Sequence, residues 1–154
     1  MKIGIKKVHE SEWVVNIGHA GIKLDRFSLA LLDIALTHLL ALEQGETHSI
    51  LKSYVKLGLK LKNLPDLECQ KLLRALDTKD ILVIMMLAKD PELNALVMNN
   101  VGAILAKQLE TDLVTTPEPS EEHAKKAIRR IVEKTFELEA LGNIEFTSDE
   151  TRYI

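Results

Sequence analysis

Histidines, a cysteine and clustered carboxylates are the side chains from which reaction chemistry would have to be built here. His9, His19, His38, His48 and His123 are scattered, and none stands four residues from another. That is the spacing at which one helix face offers two imidazoles to a metal, so they read as surface or cap residues. Cys69 has no acid or base fixed beside it in the sequence and reads as a buried helical thiol. Gly18-x-x-Gly21 precedes a helix but stops short of it and lacks the Lys-Ser/Thr pair of a phosphate loop; it reads as a turn. Asp77, Asp80, Asp90 and Glu92 fall in the first turns of expected helices, where negative charge complements the helix dipole. Nothing in this set assembles an acid–base pair, a nucleophile or a ligand shell. The sequence is that of a non-enzymatic chain, with no cofactor and no metal expected.

Lysines form the more suggestive pattern. Lys52, Lys56 and Lys60 recur at i, i+4 and i+8, so on one α-helix all three would project from one face. Lys62 and Tyr54 lie nearby. Such a face is either simply solvated or a docking surface for an acidic partner. Nucleic acid is the alternative reading, although it would want more basic charge and several aromatics. A second basic group, Lys125, Lys126, Arg129 and Arg130, follows Glu121 and Glu122 at the favourable Glu-before-Lys spacing and reads as locally paired.

The elements that would position these residues come from a chain of 154 residues, 46% apolar and only 4% aromatic. A core of Leu, Ile, Val, Ala and Met favours helices. Residues 1–63 carry a net charge of +3 and residues 64–154 a net charge of −6. One cysteine makes no internal disulfide, and the N-terminus has no continuous apolar region, which together point to a reduced, cytoplasmic setting. The longest apolar run, Ile81–Ala88, is far too short to cross a bilayer.

Ile3 and Ile5, then Trp13–Ile17, predict a β-hairpin joined through His9–Glu12, with Ile22–Leu24 as an optional third strand. Asp25 caps a helix to about Glu43, and Thr47 or His48 opens another to about Lys62. Asn63-Leu64-Pro65 marks a boundary. Helices are then expected over 65–76, 78–88, 91–99, 101–113 and 120–141, the last ended by Gly142, with a short strand at 144–146. The expected domains are 1–63, a hairpin-plus-two-helix module; 64–146, a helical domain; and 147–154, a flexible tail.

The second half also resembles a known family. Gln70-Lys71-Leu72-Leu73-Arg74-Ala75-Leu76-Asp77-Thr78-Lys79-Asp80-Ile81, the Asn99-Asn100-Val101 run, Lys126-Ala127-Ile128-Arg129-Arg130-Ile131-Val132 and Gly142-Asn143-Ile144 resemble, in order and spacing, the C-terminal domain of the flagellar rotor protein FliG. The resemblance spans roughly residues 65–146. It implies an armadillo-like, right-handed helical bundle, making the fold class mainly α, and it implies a habit of protein–protein contact. In that family, charged side chains on one helix meet the stator. Here the family's lysine is Met86, its arginine aligns with Ile104, and the first of two adjacent acids is Thr111, so only Asp112 keeps the family charge. Residues 1–63 lack the family's Glu-His-Pro-Gln signature. The role this implies is that of an adaptor tied to the flagellar motor but not a torque-generating rotor.

The remaining expectation concerns the first helix, whose many leucines exceed what one hairpin can cover. Leu36 and Leu40 are expected either to pack beneath the helical half or to meet a second copy of the chain in a homodimer.

Overall fold

A computed structural model describes residues 1–45 and 49–146. Contacts within it cluster into two compact units, Met1–Ser53 and Tyr54–Ile154.

The N-terminal unit opens with three strands, β1 (Ile3–His9), β2 (Glu12–Ile17) and β3 (Ala20–Asp25), paired antiparallel in sequence order. The third strand, optional in the sequence, completes the sheet. Both connections are tighter than the sequence suggested: His9 pairs with Glu12 and Ile17 with Ala20, which leaves two residues in each turn. Gly18 takes φ +60, and Gly at the first position is what a type II′ hairpin turn requires. Gly21, expected in the turn, lies within β3. Asp25 then caps helix α1 (Arg26–Ala41), its carboxylate accepting from the Ser28 N–H at 2.7 Å. α1 packs on β2 and β3. Of its sixteen residues only Phe27 and Ala35 are buried.

Helix α2 (Ile50–Gly58) contains the division between the units. Its expected opening at Thr47 or His48 lies outside the described residues, as does the expected tail at 147–154. The α-helix expected to run to Lys62 stops at Gly58 and tightens into a 3-10 segment, Leu59–Asn63. Gly58, at that junction, lies where the backbone comes close to the helical core. A Cβ on Gly58 would stand 2.6 Å from Ile84 Cδ1 and 3.4 Å from Ile128 Cγ2.

The helical unit continues with α3 (Asp66–Ala75), α4 (Thr78–Ala88), α5 (Pro91–Asn100), α6 (Ala103–Thr115) and α7 (Glu121–Ala140). Each boundary has a local cause. Asp77 caps α4 and Asp90 caps α5, where Pro91 fills the first turn. Ser120 caps α7, and Gly142, at φ +75, ends it. Residues Asp80–Met85 of α4 are all buried, and α4 packs against both α6 and α7. The apolar face of α7, Ala124, Ala127, Ile128, Ile131, Val132 and Thr135, is buried along its length.

Residues 144–146 are not a strand. Among the described residues the helical unit has no strand to pair with, and the segment is tied down through side chains. Ile144 is buried, the Glu145 N–H donates to Glu68 Oε2 at 3.1 Å, and Lys71 Nζ donates to the Asn143 carbonyl at 3.1 Å.

Candidate functional site

The lysine pattern is only partly built. Lys52 and Lys56 are exposed on α2, in the N-terminal and the helical unit respectively, and Lys60 is exposed in the 3-10 segment. With three residues per turn there instead of 3.6, Lys60 does not continue a regular α-helical stripe. Lys62 is occupied: its Nζ donates to Asp90 Oδ2 at 2.9 Å and to Glu92 Oε2 at 3.2 Å. Those bonds raise the Lys62 pKa, while Lys62 and the Leu93 N–H hold the Asp90 carboxyl below its usual range. A cation already held by two carboxylates has little left to offer a phosphate.

Three of the four basic residues on α7 are paired within the chain, and the fourth, Lys126, is exposed. Lys125 pairs with Glu121 at 3.0 Å, as the spacing predicts, and Arg129 with Glu133 at 2.7 Å. Arg130 reaches further than the sequence suggested. It grips buried Asp80 in a fork, Nε to Oδ2 at 2.8 Å and Nη2 to Oδ1 at 2.7 Å, which raises its own pKa. A planar guanidinium satisfies both carboxylate oxygens at once, so Asp80 is a clamp between α4 and α7. Cys69 is buried, and burial, with Asp66 nearby, pushes its thiol up to about 11. At neutral pH it is not a nucleophile. Among the described residues no group of three or more His, Cys, Asp or Glu is placed to hold a metal.

Apolar surface is the larger finding. On α1, Leu36 is 49% and Leu40 90% exposed; four residues apart, they share one side of the helix. On the sheet, Ile3, Ile5, Ile17 and Ile22 are also exposed. The sequence marked these four as strand residues but not as an exposed surface, although the alternation of Ile3-Ile5 and Val15-Ile17 carries the signal.

In the helical unit an open groove of about 700 Å³ lies between the end of α4 (Met85, Met86, Lys89), the start of α5 (Pro91, Asn94), Leu113 of α6 and Glu118. Lys89 holds a left-handed conformation at φ +47, and Asn94 Oδ1 is buried without a hydrogen-bond partner among the described residues. Nothing in the sequence pattern marked Lys89 or Asn94.

Compared with known families, residues 55–146, more than half of the chain, match the FliG C-terminal domain. The chain belongs to that family. No curated protein and no solved structure matches it. The match starts upstream of the resemblance read from about residue 65, and the packing explains why: Leu57, Gly58, Leu61 and Leu64 are buried. The FliG C-terminal domain is a non-enzymatic family, and no described helix is long and apolar enough to cross a membrane.

Four residues stand where the resemblance led to an expectation of FliG-type charges. Met86 is half-buried and lines the groove. Ile104 is 88% exposed at the start of α6. Thr111 turns its hydroxyl back to the Lys107 carbonyl at 3.1 Å, and Asp112 accepts from Gln108 Nε2 at 3.0 Å.

Proposed function

We propose that this chain is a protein-interaction component associated with the flagellar motor switch, working in the cytoplasm, and that it does not itself generate torque. The observation that carries this reading is the outward face of α6. Ile104 stands in solvent where the resemblance places an arginine, and Thr111 is capped onto its own helix where the family has an acid. Asp112, the retained acid, is engaged by Gln108 on the same helix. A surface that meets a charged partner through long-range attraction needs unscreened charges of fixed sign. This one offers Ile104 and the Thr111 hydroxyl where the resemblance expects charge, beside an exposed Lys107 and Glu110.

The exposed apolar residues of the N-terminal unit, Leu36 and Leu40 among them, support an adaptor that works by contact rather than catalysis. The nucleic-acid alternative loses support with Lys62 held by Asp90 and Glu92.

Swapping residues 65–146 into a FliG rotor that lacks its own C-terminal domain tests the non-torque reading. Cells should remain non-motile. Swimming with Met86, Ile104 and Thr111 unchanged would overturn it.

A further inference from the structure

Strand β1 is an edge. Among the described residues its one neighbour in the sheet is β2, and all seven of its residues are exposed. Which backbone groups it leaves unpaired follows from one bond. The Gly18 N–H donates to the Lys2 carbonyl at 2.8 Å, and the register continues that pair through Gly4 opposite Asn16 to Lys6 opposite Val14. Bonded and non-bonded pairs alternate along an antiparallel ladder. Lys2, Gly4 and Lys6 therefore turn their N–H and C=O groups towards β2, whereas Ile3 and Ile5 turn theirs away from the sheet. The register shift between Lys7 and His9 ends this regular edge.

The side chains along the edge divide by charge. Successive residues of a strand point to opposite faces, so Lys2 and Lys6 stand on one face and Ile3 and Ile5 on the other. Neighbouring cations are engaged: Lys23, on the Lys6 face, pairs with Glu12 at 3.5 Å, and the Lys7 ammonium sits 5.4 Å from the centre of the Trp13 ring. Among the described residues Lys2 and Lys6 make no ion pair. Beside them, a Cβ on Gly4 would meet open space.

We propose that the free edge of β1 takes up an extended segment of another protein as a fourth strand, one in which acidic residues alternate with branched apolar ones. The step rests on the protein-interaction reading above and names the chemistry of the partner. The outward groups of Ile3 and Ile5 supply the ladder. Cross-strand pairing then selects the side chains: on one face the incoming strand meets two unpaired ammonium groups, and on the other it meets Ile3 and Ile5. The same lysines disfavour a second copy. An antiparallel pairing that bonds Ile3 of each copy to Ile5 of the other sets Lys2 against Lys6 twice, and like charges directly opposed are destabilising. Lysines on an edge protect it from strands like itself. Towards an acidic strand they are an attraction.

The test titrates the full chain into a fluorescein-labelled heptapeptide of alternating Val and Glu, read by anisotropy. N-methylation at every Glu leaves only the edge that an antiparallel ladder on Ile3 and Ile5 uses; N-methylation at every Val blocks that edge instead. The Glu-methylated peptide should bind about 10-fold or more tightly than the Val-methylated one. Lys2→Glu with Lys6→Glu should weaken it by a further factor of about 10 or more, and should confer binding of the matching Val–Lys peptide. The peptide pair is compared on the unaltered chain, so that readout needs no variant to fold. Equal binding of the two methylated peptides overturns the proposal, as does an oligothymidylate of equal charge that binds as tightly as the better peptide. Binding of neither peptide also overturns it and leaves the interaction reading standing on Leu36 and Leu40 of α1. The motility experiment decides the motor reading separately, whatever the peptides do.

Discussion

Both units are supplied with branched apolar residues, yet they use them differently. In the helical unit Leu72, Ile81, Ile84, Met85, Leu93, Leu109, Ile128 and Ile131 are essentially sealed from solvent. In the N-terminal unit the buried apolar residues are Val15, Phe27 and Ala35, while Ile3, Ile5 and Leu40 face water. The difference is one of layers. α4 is enclosed because several helices can each turn one stripe towards it. In the N-terminal unit cover is partial: Val15 is buried, whereas Ile3, Ile5, Ile17 and Ile22 on the same face of the sheet stay exposed. Apolar content therefore does not announce how much core a segment has; the number of covering elements does.

The largest test of that contrast is an alanine at matched residues. Ile128→Ala should cost about 3–4 kcal/mol by leaving a cavity between α7 and its neighbours, whereas Ile5→Ala should move the stability of the chain by less than about 0.5 kcal/mol. The two units can be followed separately in one urea titration. Trp13, the one tryptophan, is in β2, and most of the helical signal comes from the other unit. Ile128→Ala should shift the circular-dichroism midpoint more than the Trp13 fluorescence midpoint. Equal shifts would mean that the units unfold as one.

Next in size is the clamp. Arg130→Ala leaves the Asp80 carboxylate buried without its fork and should cost about 2 kcal/mol, less than a fully enclosed pair because the arginine is half exposed. The double variant Asp80→Ala/Arg130→Ala should cost less than the sum of the two single changes.

Cys69 provides a pH test of the sealed core. Its thiol pKa is raised from 9.0 to about 11 when folded, so between those values the unfolded chain has released a proton that the native chain still holds. Stability must then fall as pH rises from 9 through about 11, by at most about 1.4 kcal/mol per pH unit. The slope should be shallower in Cys69→Ala than in the parent, read from urea midpoints at pH 8 to 10.5. Identical slopes would place the thiol in contact with solvent.

The smallest effect is a gain. Lys89→Gly relieves a left-handed residue at the end of α4 and should add about 0.5–1 kcal/mol to the helical unit, visible as a higher circular-dichroism midpoint with Trp13 unmoved.

What the sequence revealed is what local chemistry determines. Asp25, Asp77, Asp90 with Pro91, Ser120 and Gly142 marked helix ends because capping involves only a few neighbouring residues. The buried stripe of α7 was readable from its period. The rest depends on partners distant in the chain. Gly58 lies against Ile84 and Ile128; Arg130 finds Asp80 fifty positions away; Lys62 finds Asp90. A strand was wrongly expected at 144–146 because β-branched character says nothing about whether a pairing edge is near. The exposed isoleucines were visible as an alternating pattern, but which of them lacked cover follows only from where α1 lies.

The order of the sheet, β1-β2-β3 joined by two-residue turns, also has a consequence in time. Every strand pair is made from neighbouring sequence, so closing them involves short loops and little entropy. The helical unit must instead wait for α7, which packs against α3 and α4 and is its last helix in the chain. During synthesis from the N-terminus, the meander can be complete while the helices that bury Ile84 are still without Ile128. For that interval a completed sheet stands beside a helical unit whose core is still unfinished.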